Sequence, residues 1–453
     1  MSVTELLISE FGKEKVLFDV GKMQPYSVDE SDNPPSYPET VFFPESPLEI
    51  EILAKLSSEH GFPVTPRGAG TGKTGGSIPL LGGVVVSMER MNHILDVDEE
   101  SLFTVIEPGV ITEALQNKVK DFKLFYPPDP ASLDKCTLGG NVAENAGGPR
   151  AFRYGVTREY LLGMEIVNSS GNRFNIGKKS VKGVSGYDLT ALICGSEGTL
   201  GIISQLTLKL IPLHRPSGII VAYYATPDDA GKSIGAVLRS GIFPMSLEMM
   251  DAASINIVRY IEGFDPPENA GGAVICELEG IPEDPILLRN SLEIIKNSGV
   301  IHHEIALTEK EMEIIWEARR KVSSSLKEKY PFKLSEDIAV PRAAISETLY
   351  IINDIANKHS INCACYGHAG DGNLHVNFLS DNADESDKLN SAASELFIKI
   401  CSIGGTLTGE HGIGISKKRF MTIEHDPFSL EMMKGLKSIW DPSGRLNPGK
   451  IFD

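Results

Sequence analysis

The chain has 453 residues, 41% of them hydrophobic and 23% charged, with a formal net charge of −18. That length exceeds one ordinary core, so two or three domains of a soluble globular protein are expected. The acidic balance argues against a nucleic-acid partner, which needs a basic face, but leaves room for a small anionic substrate that answers to the local field of a cleft.

Met1 to Glu10 shows no basic stretch followed by an apolar run and no Arg-rich transit character, so a cytoplasmic protein is expected. No apolar run reaches the roughly 18 residues of a membrane span. Residues 1–35 read as a lead-in, a short helix and an irregular linker ending in Asp32-Asn-Pro-Pro35. Val41-Phe-Phe43 is a strand. Ser46, Pro47 and Glu49 then combine an N-cap, a proline at the first helical position and a capping-box acid. Leu48, Ile52, Leu53 and Leu56 fall on one face of that helix, and Gly61 ends it. Phe62 to Thr65, Gly83 to Ser87 and Phe103 to Glu107 are further strands, and the β-α-β alternation runs to about Pro212.

From about residue 215 the pattern changes. Strands at Ile219 to Tyr224 and Ala273 to Glu279 alternate with helices at Pro227 to Ser240 and Ile286 to Ser298, an α+β sheet with helices on one face. Glu309 to Lys329 is one long helix with Ile315, Ala318, Val322 and Leu326 inward. The last 30 residues are turn-rich and pack back onto another part. The six cysteines form no Cys-x-x-Cys, and Cys363 and Cys365 share a strand face, so reduced, buried thiols are expected. No iron–sulfur run is present, which sends any electrons to an external acceptor.

Two apparent nucleotide motifs fail. Gly72-Lys73-Thr74 resembles the end of a P-loop, but position 67 is Arg where that loop needs glycine. Gly70-x-Gly72-x-x-Gly75 fits a dinucleotide fingerprint, yet the following Ser77-Ile-Pro-Leu-Leu-Gly82 is no helix. Recurrence is the stronger signal: Pro66 to Gly76, Pro127 to Ser132, Cys136 to Pro149 and Gly195 to Gly201 are all glycine- or proline-rich. Glycines admit backbone N–H groups close to a pyrophosphate, and four such loops can line one long cofactor.

Near the C-terminus, Tyr366-Gly-His-Ala-Gly-Asp-Gly-Asn-Leu-His375-Val-Asn377 and Gly409-Glu-His-Gly412 offer histidines and a carboxylate. A strand would put His375 and Asn377 on one face, with a turn folding His368 back toward His375. Two imidazoles and Glu410 suit Zn, Fe or Mn with open positions, and one histidine is left as a base. Trp316, Arg319 and Ser323 share a helical face, where a guanidinium can hold a substrate carboxylate in bidentate geometry. Arg320, one residue on, is the solvated counterpart.

From about residue 36 to the end, these segments resemble the FAD-linked oxidases of the vanillyl-alcohol-oxidase (PCMH) type, in the group that unites the flavin subunit of glycolate oxidase with D-lactate dehydrogenase and D-2-hydroxyglutarate dehydrogenase. The resemblance implies an α+β fold with four parts. These are the lead-in (1–35), a two-subdomain PCMH-type FAD domain (36–214), an antiparallel α/β cap domain for the substrate (215–405) and a C-terminal segment (406–453) returning to the flavin.

It places the pyrophosphate on Pro66, Arg67, Gly68, Ala69, Gly70 and Thr71 with Gly75 and Gly76. The flavin falls to Pro128, Asp129, Leu138, Gly139, Gly140, Asn141, Asn145 and Gly148, with Tyr154 and Gly155 also against the cofactor. Glu197, Gly198, Gly201 and Ile202 fall to the adenosine half, and Asn447 to the isoalloxazine. With no histidine between Pro66 and Gly76 and unsuitable glycine spacing after Cys136, the FAD is read as non-covalent.

By the same resemblance His368, His375 and Glu410 are metal ligands, His411 is the catalytic base, and Arg319, Ser323, Asn377 and Lys333 bind substrate. The implied reaction is oxidation of a D-2-hydroxy acid, with hydride passing to flavin N5 and the metal polarising the hydroxyl. The spacing from Lys333 to Asp337-Ile-Ala-Val-Pro341 departs from the dicarboxylate pattern, which favours D-lactate or glycolate. An electron-transfer flavoprotein or iron–sulfur subunit is the implied acceptor, and a homodimer is compatible. The alternatives are a flavin oxidase using oxygen directly and a flavin electron-transfer component of a larger complex.

Overall fold

The computed structural model describes residues 1–452, which divide by their contacts into two compact units. The first holds residues 1–147, 155–213 and the chain from Glu410 onward; the second holds 148–154 and 214–409. No helix among the described residues is long and apolar enough to cross a membrane.

In the first unit, Thr40–Phe42, Val84–Ser87 and Val64–Arg67 pair in parallel, and the two-residue strand Val16–Leu17 adds antiparallel to the edge. The remaining strands, from Ile94–Asp98 to Ile202–Lys209, do not extend that parallel sheet. All but Leu124–Phe125, which pairs with Ile211–Pro212, form a separate five-stranded antiparallel one. The strand–helix alternation thus resolves into two sheets of opposite kind.

The helix Pro47–His60 buries Ile50, Leu53, Ala54 and Ser57 in a core shared with Val64, Val84, Val167 and Ile202. This corrects the expected face: Leu48 is 57% exposed, because it sits in the first turn, ahead of the stretch that both sheets cover. The capping box is also absent. Ser46 makes no side-chain cap, and Glu49 instead accepts from Lys15 Nζ at 2.5 Å and from the Glu45 N–H at 2.7 Å.

The second unit is built on a seven-stranded antiparallel sheet. Its strands run in the order Val300–Ala306, Ser217–Tyr224, Gly272–Glu279, Ser246–Asp251, Asn362–His368, Asn373–Ser380 and Phe332–Ala339. Helices cover both faces rather than one, and Ser217–Tyr224, buried at every position, shows why. Ile219, Val221 and Tyr223 pack with Ile315, Ala318, Val322 and Leu326 of the helix Glu309–Lys329. The opposite face meets the helices Pro227–Arg239, Ile345–His359 and Ser386–Ser402. The long helix begins at a complete capping box made by Thr308 and Glu311. None of the six cysteines is in a disulfide; Cys363 and Cys401 are only half-buried, short of the full burial expected.

Candidate active site

The first unit contains a cavity of about 360 Å³, within the range of small-molecule sites. Nine of its lining residues are glycines. Of the residues assigned to a cofactor, Pro66 to Thr71, Gly76, Gly139, Gly140, Asn141, Glu197, Gly198 and Gly201 line it, as do Glu410 and His411. This is a cradle that side chains would fill. A Cβ on Gly76 would lie 2.9 Å from Glu144 Oε1, and one on Gly147 would lie 3.0 Å from Glu410 Oε2. A long cofactor held by backbone groups fits such a wall.

Other assigned residues stand outside this wall, each for a local reason. Leu138 and Ile202 are fully buried in the core. Asn447 donates through Nδ2 to the Gly76 and Glu197 carbonyls at 2.7 Å each. Asn145 ends the helix Leu138–Glu144 in a left-handed conformation and accepts from the Arg158 N–H. The Pro128 carbonyl accepts from Gln116, and Gly75, Asp129, Gly148, Tyr154 and Gly155 likewise do not line the cavity.

The side chains of two cavity-lining charged residues are held within the protein. The Arg67 guanidinium, only 8% exposed, donates to the Val28 and Pro25 carbonyls and to Ser77 Oγ, so it pins the lead-in while its main chain forms the cavity loop. Glu197 adopts a left-handed backbone (φ 51°) and accepts from the Ile413 and Gly414 N–H groups at 2.7 and 2.8 Å. It therefore anchors the segment that follows His411. Thr74 Oγ1 donates to the His411 carbonyl at 3.1 Å and secures the same segment.

The second unit gathers charged side chains on one sheet face. Tyr366 pairs with His375, which pairs with Asp337 on the next strand, and Asn377 pairs with Ser335. His368 and His375 stand edge to face with ring centroids 5.3 Å apart. Glu248, fully buried, joins two of the expected residues. One carboxylate oxygen lies 2.6 Å from His368 Nδ1, and the other accepts from Arg319 Nε and Nη2 at 2.7 Å. Burial pushes the Glu248 carboxyl up, but the neighbouring His368 and Arg319 charges outweigh it and hold the pKa below the usual range. Arg319 also stacks over Tyr366, 4.6 Å from the ring centroid. Arg320, by contrast, is exposed and paired with Glu313.

Glu248 and Asp337 were absent from the sequence-based site. Asp337 accepts from Thr408 Oγ1 and the Gly409 N–H at 2.9 Å, and its other oxygen stands 3.8 Å from His375 Nδ1. Lys333 and Ser323 are joined to each other, Lys333 Nζ donating to the Ser323 hydroxyl at 2.8 Å and its carbonyl at 2.9 Å. Asn377, fully buried, accepts from Ser335 Oγ at 2.8 Å.

Residues 38–177 match the family description "FAD binding domain", and residues 213–451 match "FAD linked oxidases, C-terminal domain". The chain is 38% identical to the glycolate oxidase subunit GlcD of Bacillus subtilis, over 99% of this chain and 96% of the relative. It is 32% identical to a D-lactate dehydrogenase of Anaerostipes hadrus, over 91% and 89%. It is 30% identical to a D-2-hydroxyglutarate dehydrogenase of Stutzerimonas stutzeri, over 97% and 96%. Among solved structures, p-cresol methylhydroxylase is similar with a TM-score of 0.83 at 15% identity, covering 100% of this chain and 96% of that one, a likeness of fold. A glycine-rich cavity lined mainly by the matched flavin domain, followed by a second matched domain, makes this chain an FAD-dependent oxidoreductase of the FAD-linked oxidase family.

Proposed function

We propose that the enzyme oxidises a D-2-hydroxy acid to the 2-oxo acid, with D-lactate or glycolate as substrate and an external protein as electron acceptor. Residues 36–214 hold the cofactor in this reading, and 215–405 present the substrate. The observation that carries it is Arg319, a buried guanidinium on the same face as His368 and His375, whose Nε and Nη2 are held by Glu248 and whose Nη1 remains to donate to a small carboxylate. Relatives named for glycolate, D-lactate and D-2-hydroxyglutarate support the substrate class.

His411 takes the hydroxyl proton on a ring nitrogen, the ordinary work of an imidazole near neutral pH. Arg319 fixes the carboxylate, with Ser323 and Asn377 completing the substrate contacts and Lys333 bracing Ser323. The donor set of His368, His375 and Glu410 suits a divalent transition metal. Glu248 lies 2.6 Å from His368 Nδ1, as carboxylates orient metal-binding imidazoles, so Nε2 is the nitrogen that would hold an ion. Bound FAD supplies the two-electron acceptor, and a bound metal supplies a Lewis acid for the hydroxyl oxygen.

Anaerobic mixing with a panel of D- and L-2-hydroxy acids tests the proposal. D-lactate or glycolate is expected to bleach the flavin, while their L-counterparts, where they exist, leave it oxidised. A yellow protein bleached by no 2-hydroxy acid would end this reading.

A further inference from the structure

The 14-residue helix Pro427–Trp440 belongs to the first unit, and none of its residues is fully buried. It is nevertheless fixed in place. Asp426 caps it, accepting from the Phe428 and Ser429 N–H groups at 3.0 Å each. Lys437 donates to the Thr199 and Leu446 carbonyls at 2.7 and 2.9 Å. Ser169 donates to the Trp440 carbonyl, and the Trp440 ring meets Phe174. These contacts seat one face of the helix and leave the other outward.

That outward face is apolar. Phe428 is 67% exposed and Ile439 75%, with Met432 and Leu436 exposed between them. Positions 428, 432, 435 and 439 follow the alternating four-and-three spacing that keeps a stripe on one side of a helix, and Leu436 borders it. The small member of the stripe is Gly435, where an added Cβ would meet nothing within 4 Å. Apolar side chains scattered singly over a surface are ordinary, but four aligned along about three helical turns form a patch. None of them lines the cofactor cavity.

The stripe is complementary to itself. Where two copies meet across a two-fold axis, residue i of one contacts residue j of the other, and j contacts i. With the two helices antiparallel, that register sets Phe428 against Ile439 of the second copy, and Met432 over Gly435, where there is room for it. The flanks match as well. Glu431 and Lys434 are exposed on the same side of the stripe, and neither is ion-paired among the described residues. The two-fold axis turns that flank onto its own copy, so each glutamate comes within reach of the other chain's lysine. In a chain of net charge −18, self-association needs a cation at the contact, and Lys434 supplies it. Repulsion between the more distant charges is screened beyond about 8 Å at physiological salt.

We propose that this face is the contact between two copies of the chain in an antiparallel, two-fold dimer. One helix pair is smaller than the roughly 800 Å² per partner of a standard stable interface, so the dimer is reversible and forms as concentration rises through about 1–100 μM.

Sedimentation velocity of the full chain loaded with FAD, across that concentration range at physiological salt, tests the proposal. The parent is expected to pass from monomer to dimer. Ile439→Asp is expected to weaken association by about tenfold or more, with FAD retained. Glu431→Lys sets lysine against lysine and is expected to weaken it by about threefold or more, although it makes each chain less acidic. Adding Lys434→Glu to that variant exchanges the two charges and should return association to within about threefold of the parent, a recovery that damage to the fold would not produce. A parent that stays monomeric throughout overturns the proposal and leaves the stripe to an unlike protein. A dimer that Ile439→Asp leaves intact overturns it by placing the contact elsewhere. Equal weakening in the single and the exchanged variants overturns the two-fold register.

Discussion

The cavity of the first unit and the charged face of the second are made of different material. The cavity is rich in glycine, and its shape depends on where side chains are missing. The sheet face is made of side chains that hold one another, with Glu248 bridging Arg319 and His368. The first kind of site is damaged by adding atoms and the second by removing them. That asymmetry decides which substitutions are expensive.

The largest effect is expected at Glu248. Glu248→Ala leaves the Arg319 guanidinium buried without its partner, at a cost of about 3–5 kcal/mol, and removes the carboxylate beside His368 Nδ1. Urea unfolding should show this loss at neutral pH. Because the folded pKa of Glu248 is depressed, its stabilisation is present above the unfolded carboxylate pKa and lost as pH falls through the lower folded value. The gap between parent and variant should therefore narrow in acid. A gap that stays constant down to strongly acidic pH would mean the bridge is not ionic.

His411→Ala is expected to slow flavin reduction by about 10²-fold, as loss of a general base does, with FAD still bound. Stopped-flow absorbance separates that from cofactor loss. A variant that reduces its flavin at the parent rate would remove His411 from the chemistry.

The cavity is best probed with two neighbouring glycines. Gly70 has φ +73°, and a Cβ there would lie 1.9 Å from Arg67 Nη2, a side chain already held by buried hydrogen bonds. Gly70→Ala should cost about 1–3 kcal/mol and weaken FAD binding. Gly72 lines the same cavity with its nearest atom 3.8 Å away, so Gly72→Ala should fold normally. Thermal melts with and without added FAD compare them. Equal behaviour would show that the loop tolerates side chains and that its glycines are not structural.

How legible each region was in the sequence follows the same division. A cavity shaped by missing side chains must be written in glycine, and the loops at Pro66 to Gly76 and Gly139 to Gly140 stand out in any reading. The long helix was legible at both ends, Glu309 and Lys329, because its apolar positions repeat cleanly over 21 residues. Glu248 was not legible. It stands in the strand Ser246–Asp251, 120 residues from His368, and only its being an acid among apolar neighbours marked it. Leu48 misled because a helix periodicity shows that a face exists, not which turns the neighbouring sheets reach. The second layer of helices was missed for a similar reason: only the unbroken apolar run at Ile219 to Tyr224 signalled a strand covered on both sides.

The smallest effects should fall on the second unit's outer side chains, and Lys333 is the informative one. Its ammonium donates to the Ser323 hydroxyl and carbonyl, so it braces the long helix near the turn that carries Arg319. A brace acts on every substrate alike, whereas a contact to a distal carboxylate acts only on dicarboxylates. With a short monocarboxylate as substrate, Lys333→Ala should change kcat/KM for D-lactate or glycolate by less than about threefold, the scale of one exposed hydrogen bond. Arg319→Ala should instead raise KM steeply, and Arg320→Ala, whose Glu313 partner is exposed, should change little. The discriminating measurement is the ratio of kcat/KM for D-2-hydroxyglutarate to that for D-lactate in parent and Lys333→Ala proteins. An unchanged ratio fits a brace. A ratio that collapses in the variant would show that Lys333 leaves Ser323 to meet a second carboxylate, and would move the preferred substrate to a dicarboxylic acid.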